Sequence, residues 1–416
     1  MTNTRTIFNN AAIFDGVSAE LKGGQSVVVE DGRIVEVREA SASVAADQVV
    51  DVAGRTLMPG LIDLHAHPCL ADVLAPRAVT LRTEEVALYA AKILRQSLMR
   101  GFTTLRDAGG TDPIYRRLIG DGTIEGPRLY PSGRFITMTG GHGDMRDPGD
   151  RAPVSCCGGA LHERFLSIAD GADEVRKAVR EELRRGAVQI KMFLSGGVMS
   201  PTGFIDQLQY TPAEIRAAVE EAEAQRAYVL AHCHPDGAIR RAAECGVRSI
   251  EHASFITEET ACFVAETGCY AVPTLAVAKA LEAEGERIGI SAANRAKLNG
   301  VFEPMLRSLE YMKRAGVKMG FGTDVSGQLQ YRQCSEFSLR AEVLTPHDIL
   351  VSATSMAAEI MREDGHLGII APGAHADILV IDGNPLDDIR ILDRDGAALS
   401  VIMKAGRFHK NTIRGG

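Results

Sequence analysis

The stretch Pro59-Gly60-Leu61-Ile62-Asp63-Leu64-His65-Ala66-His67 is apolar along most of its length and closes on two histidines. Side chains alternate between the two faces of a strand, so Asp63, His65 and His67 share one face. In a barrel that face is the interior. Neutral imidazoles two residues apart suit a zinc-like ion. His-x-His also arises in loops, and this stretch alone does not separate the two readings.

Working outward, short apolar segments recur at 57–67, 103–108, 128–132, 188–193, 228–232, 249–252, 270–273 and 317–323. Helical patterns lie between several of them, at 172–185, 212–225 and 238–245. Strand-helix alternation signals a parallel sheet. Eight candidate strands over about 300 residues fit a closed barrel better than an open doubly wound sheet. No Gly-x-Gly-x-x-Gly opens a helix after the first strand, which weakens a dinucleotide-binding alternative.

Both chain ends differ from this middle. Val27-Val28-Val29, Asp31-Gly32 and Ile34–Val37 read as strand, turn and strand, and Asp-Gly tolerates the positive φ of a tight hairpin. Residues 377–381 and 400–404 are again β-prone, with an Asp382-Gly383-Asn384-Pro385 turn between them. The expected fold is α/β: a (β/α)8 TIM barrel over 58–365, and a small β-sandwich domain built from 1–57 and 366–416.

Ligand-type residues sit at or near the C-terminal ends of the candidate barrel strands, the face on which barrel active sites are built. Lys191 lies between Ile190 and Met192, where an ammonium ion needs pairing. It either snorkels to the barrel mouth or, desolvated, has a lowered pKa. His232, His252 and Asp324 each close an apolar run. A lone histidine there is more often a satisfied core residue, and a lone aspartate a helix cap. Five strand ends carrying such residues in one alternating pattern point to a metal site.

The 416 residues are 45% hydrophobic and 24% charged with net charge −8, values of an ordinary globular protein. No basic run stands out, which argues against nucleic acid as a partner. The N-terminal ten residues lack an apolar core for a secretory signal, and no apolar stretch reaches the ~18 residues of a membrane span. The eight cysteines include an adjacent Cys156-Cys157 pair but no Cys-x-x-Cys, as expected of reduced thiols in the cytoplasm. A homo-oligomer is compatible with all of this.

Together these motifs resemble the amidohydrolase superfamily over essentially the whole chain, from Pro59–His67 to the Pro372-Gly373-Ala374-His375-Ala376-Asp377-Ile378 segment. The resemblance implies a binuclear centre of two divalent metals, zinc for preference. His65, His67 and Asp324 would hold one metal, His232 and His252 the other, and a carbamate formed on Lys191 by carbon dioxide would bridge them. Mononuclear deaminases of the superfamily lack that lysine. They also carry a glutamate where this chain has Cys233-His234-Pro235.

Ile136-Thr137-Met138-Thr139-Gly140-Gly141-His142-Gly143-Asp144 and the region 322–344 are similar to the imidazolonepropionase-related branch that contains Xaa-Pro dipeptidases. That likeness implies hydrolysis of a dipeptide amide bond, Xaa-Pro first, by a hydroxide shared between the metals. Asp324 would carry the proton, while His142 and His234 would contact and polarise the carbonyl. Many relatives have tyrosine where His234 stands, which loosens the transfer of specificity. Arg134, Tyr331 and Arg332, near strand-end loops, are candidates for holding a substrate carboxylate. The alternatives are a hydrolase of other N-acyl amino acids, cyclic amides or xenobiotic, ochratoxin-like amides, and a non-catalytic binding barrel.

Overall fold

The computed structural model describes residues 5–40, 46–78, 80–146, 149, 162–200 and 203–413. The Cys156-Cys157 pair lies outside them. Two compact units emerge, one made of Met1–Asp63, Leu94–Leu105 and Cys334–Gly416, the other of Leu64–Ile93 and Arg106–Gln333.

In the first unit both chain ends enter one mixed eight-stranded sheet. Strand Thr56–Pro59 runs antiparallel to Ile378–Ile381, with Met58 opposite Leu379, and parallel to Thr6–Ile13. The expected hairpin joins Lys22–Glu30 to Arg33–Glu39, and its Asp31 and Gly32 take φ of 49° and 75°. A Cβ on Gly32 would stand 2.8 Å from the Ala405 carbonyl oxygen, so the turn needs glycine for space as well as for φ. Alternate residues such as Val27 and Val29, Ile378 and Val380, and Val401 and Met403 supply the core of this sheet.

The second unit carries a parallel six-stranded sheet in the order Leu166–Ile168, Phe135–Thr137, Ile190–Phe193, Val229–Pro235, Ser249–Phe255 and Tyr270–Val272. A three-stranded sheet orders Leu61–Ala66, Phe102–Asp107 and Arg128–Tyr130. The central parallel strands Ile190–Phe193, Val229–Pro235 and Ser249–Phe255 are buried along almost their whole length, on both faces. The intervening helices are amphipathic. Ala172–Arg185 buries Val175, Ala178, Val179 and Glu182, one stripe of a 3.6-residue period, and ends at the left-handed Gly186. Pro212–Ala224 starts with a reciprocal Thr211–Glu214 capping box.

The segment expected as the last barrel strand, 317–323, is not a regular strand and forms only an isolated parallel bridge, Met319 to Ala271. Gly320 and Gly322 weaken β structure there. Its backbone nevertheless bonds on two sides. Gly320 N donates to Ala271 O on one side, and on the other Leu64 N donates to Phe321 O and Asp324 N to His65 O, at 2.8–2.9 Å. Short strands also form at 135–137 and 166–168, outside the eight expected segments. Among the described residues no helix is long and apolar enough to cross a membrane.

Candidate metal centre

All six metal-ligand candidates lie in the second unit: His65 within and His67 just beyond Leu61–Ala66, Lys191 within Ile190–Phe193, His232 within Val229–Pro235, His252 within Ser249–Phe255, and Asp324 just past the 317–323 segment. Leu61–Ala66 delivers His65 and His67, and the bond from Asp324 N to His65 O ties the aspartate to the same strand end. Asp324 Oδ1 stands 3.0 Å from His67 Nε2 and 3.5 Å from His65 Nε2. A Cβ on Gly322 would come within 2.9 Å of His65 Cβ, so only glycine admits this approach. These three side chains form one group able to hold a metal ion.

A second such group is His232, His234 and His252. The period of two along Val229–Pro235 puts His232 and His234 on one face. Their ring centroids are 4.5 Å apart, and those of His232 and His252 4.6 Å apart. The two groups are neighbours, with His65 and His252 centroids 4.8 Å apart. Lys191, 1% exposed, places Nζ 3.4 Å from His65 Nε2.

Every ring is fixed by its far nitrogen. Nδ1 of His65 meets Glu251 Oε2 at 2.7 Å, that of His67 meets Gly109 O at 2.8 Å, and that of His252 meets Thr274 Oγ1 at 2.7 Å. His234 Nδ1 is held by Ser254 Oγ at 2.8 Å, while His232 uses Nε2, 3.1 Å from Gly196 O. Outer partners of this kind set the tautomer and aim of metal-binding imidazoles. His142 joins the array, with its ring 4.5 Å from that of His232 and Nδ1 2.6 Å from Ser200 Oγ.

Burial decides the charge state. Desolvation pushes the pKa of His65, His232 and His252 well below the ordinary histidine value, and nearby Lys191 and the other rings add to the effect. His142 and His234 are pushed down to about 3 and about 4, again chiefly by desolvation. Neutral rings are ligands and weak hydrogen-bonding groups. Desolvation also lowers Lys191 to about 8, although Glu251 and Asp324 oppose it. An array of neutral imidazoles, one carboxylate and a deprotonatable amine fits a pair of divalent cations of the zinc type.

Glu251 was not anticipated. It is fully buried, and its Oε1 accepts from Arg106 Nη2 and Ser249 Oγ, each at 2.7 Å. Arg106, equally buried, also donates from Nε to Leu64 O. Adjacent residues of a strand point to opposite faces, yet Glu251 and His252 both reach His65. The backbone explains this: His252 and Ala253 take φ of 71° and 48°, and the ladder to the preceding strand shifts register there. Asp324 is left-handed too, at 57°. Such non-glycine strain is held only where surrounding contacts over-determine it.

One cavity of about 800 Å³ takes in both groups, Lys191 and His142. Its remaining walls are largely apolar, with Leu74, Val277, Leu281 and Leu298 prominent. Arg134, Tyr331 and Arg332 are not among its lining residues. Arg134 binds the buried carboxylate of Glu182 at 2.6 Å. Tyr331 and Arg332 both bind Glu284.

The sequence model of the amidohydrolase family matches residues 56–407. Ochratoxinase of Aspergillus niger is 32% identical over 365 residues, covering 85% of this chain and 75% of that protein. The crystal structure of an amidohydrolase is 46% identical with a TM-score of 0.96, covering 99% of this chain and 100% of that one. The crystal structure of a prolidase complexed with N-methylphosphonate-L-proline is 40% identical with a TM-score of 0.94, covering 98% and 100%.

Proposed function

Because this chain belongs to the amidohydrolase family, we propose that it is a metal-dependent hydrolase cleaving an amide bond in a small molecule, Xaa-Pro dipeptides first. The observation that carries the reading is Lys191, a fully buried amine beside His65 in a cavity lined by both ligand groups. A lysine whose pKa falls to about 8 is neutral often enough to add carbon dioxide, and the carbamate would supply anionic oxygen ligands to a pair of cations. His65, His67 and Asp324 would hold one cation, and His232 and His252 the other. Resemblance to the prolidase structure supports the choice of dipeptide. The backbone bonds that 317–324 makes toward both Tyr270–Val272 and Leu61–Ala66 support a closed (β/α)8 barrel over 58–365. Contacts between Phe8 and Phe408 rings, 6.0 Å apart, support a small β-sandwich from 1–57 and 366–416.

Two divalent cations there would polarise the amide carbonyl and lower the pKa of a water molecule toward roughly 7. The protein's own groups do the rest. Asp324 takes the proton of the attacking water and delivers it to the departing nitrogen as the C–N bond breaks, leaving a carboxylic acid and an amine that settle as carboxylate and ammonium. Ser200 Oγ accepts from Gly197 N–H, so its own proton is available to His142 Nδ1. In that tautomer His142 Nε2 carries a proton to offer the carbonyl oxygen as charge builds on it. His234, neutral and held by Ser254, serves the same oxygen or completes the second ligand group.

A second reading is favoured by the cavity itself. Its volume lies toward the upper end of the roughly 300–1,000 Å³ that drug-sized ligands occupy. Its apolar walls suit a bulky N-acyl aromatic amino acid, and the match to ochratoxinase points the same way. The test is a panel of Xaa-Pro dipeptides and N-acyl aromatic amino acids offered to zinc-loaded and chelated protein. Turnover of an Xaa-Pro dipeptide that chelation abolishes is expected; if no Xaa-Pro member turns over, the dipeptide choice falls.

A further inference from the structure

Among the described residues, three permanently or potentially cationic side chains other than histidine line the cavity: Arg77, Arg146 and Lys191. Lys191 belongs to the metal-binding array. Arg146 donates from Nε and Nη2 to the two carboxylate oxygens of Asp144, at 2.8 and 2.6 Å, so its charge is matched. Arg77 has no ion pair or side-chain hydrogen bond among the described residues. Among the described residues the other acid on the wall besides Asp324 is Asp72, and it is occupied: Oδ1 accepts from Leu74 N and Oδ2 from Gln328 Nε2.

The surroundings of Arg77 give its charge a purpose. Its Nη2 lies 3.7 Å from where a Cβ would stand on Gly289, the residue that caps helix Leu275–Ile288. Gly289 itself lines the cavity. The next residues on either side, Ile288 and Ile290, pack with Leu281 and Leu298 in one apolar cluster. Among the described residues Arg77 is therefore a solvent-exposed guanidinium without an acidic partner, beside a hydrophobic wall of the cavity that also takes in the metal-binding residues. A guanidinium offers two parallel N–H donors that match a carboxylate.

We infer that Arg77 binds the free carboxylate of the substrate, with the apolar group next to that carboxylate resting on the wall of Leu74, Leu281 and Leu298. The substrate class is then an N-acylated amino acid whose own side chain is apolar, a class that includes Xaa-Pro dipeptides as well as bulkier N-acyl aromatic amino acids. This rests on the amide hydrolase reading for its chemistry, but the anchoring is separable from turnover.

The experiment uses N-benzyl-L-phenylalanine, which keeps the carboxylate and both rings but has an amine in place of the amide and is not hydrolysed. Its binding to the zinc-loaded protein is measured by titration calorimetry, alongside that of its carboxamide. Arg77→Ala should weaken the carboxylate roughly tenfold to a hundredfold, leave the carboxamide unchanged, and keep metal content and melting temperature. Arg77→Lys should recover part of the loss. Equal affinity of Arg77→Ala and wild type for the carboxylate overturns the inference, as does equal loss for both ligands or no binding by wild type. Turnover of N-benzoyl-L-phenylalanine is followed separately: its absence, with the binding difference intact, counts against the hydrolase reading and leaves the Arg77 anchor standing.

Discussion

The floor and the wall of the cavity are built on opposite principles. On the floor every imidazole has a second bond, to Glu251, Gly109, Gly196, Ser254 or Thr274, and two of the residues carry left-handed backbones. Each side chain is held from behind, so a small change in one partner misaims a donor. On the wall, Leu281 and Leu298 are backed by Ile288 and Ile290 through apolar contact. Such packing tolerates exchange of one hydrophobic shape for another at modest cost. The floor should therefore fix the reaction, and the wall should fix which substrate reaches it.

The strongest way to break this contrast is Lys191→Ala. It removes a side chain from the middle of the floor and should cost more activity than the roughly 10–100-fold typical of an outer partner. Metal content measured on the purified variant should fall with it, and short carboxylic acids that stand in for the carbamate should restore part of both. Full activity in the variant would remove Lys191 from the centre.

Glu251→Gln asks whether support from behind matters as much as contact. Burial opposes charge on both Glu251 and Arg106, and the pairing with Glu251 keeps the Arg106 pKa raised nonetheless. The substitution leaves His65 without an anionic partner and Arg106 without its counter-charge. Metal affinity in a competition titration should drop by about 10–100-fold, and the melting temperature should fall because a buried guanidinium is left unpaired. Wild-type affinity in a folded variant would show that His65 is aimed by the strand alone.

The same contrast explains what could be read from the sequence. An apolar strand that ends in a histidine or aspartate is a local pattern, and His65, His67, His232, His252 and Asp324 were all visible as such. Glu251 was hidden by its neighbour: strand alternation puts it on the face opposite His252, and only the left-handed turn of the backbone overrides that. Arg134 and Arg332 looked available because their loops lie near strand ends. Their partners, Glu182 and Glu284, are each 48 residues away and leave no trace in the local pattern. The wall was illegible for a different reason. The buried positions of Leu275–Ile288 have the period of any helix packed on a core, and nothing in that period marks a face that borders a cavity.

Val277→Phe tests the wall with the smallest expected effect. Val277 lines the cavity, is only partly buried, and packs against the Leu281 cluster without belonging to its interior. Replacing it with phenylalanine adds volume toward the open space rather than into a filled core, so the fold should tolerate it. A pocket discriminates by roughly tenfold for a change of this size in hydrophobic shape. The kcat/KM for a bulky N-acyl aromatic amino acid should therefore fall by about that factor, while that for a small Xaa-Pro dipeptide stays near the wild-type value. Metal content should not move, because none of the bonds that hold the imidazoles involves this helix position. A parallel loss for both substrates would mean that wall and floor are mechanically one body; no loss for either would place the bulky group elsewhere.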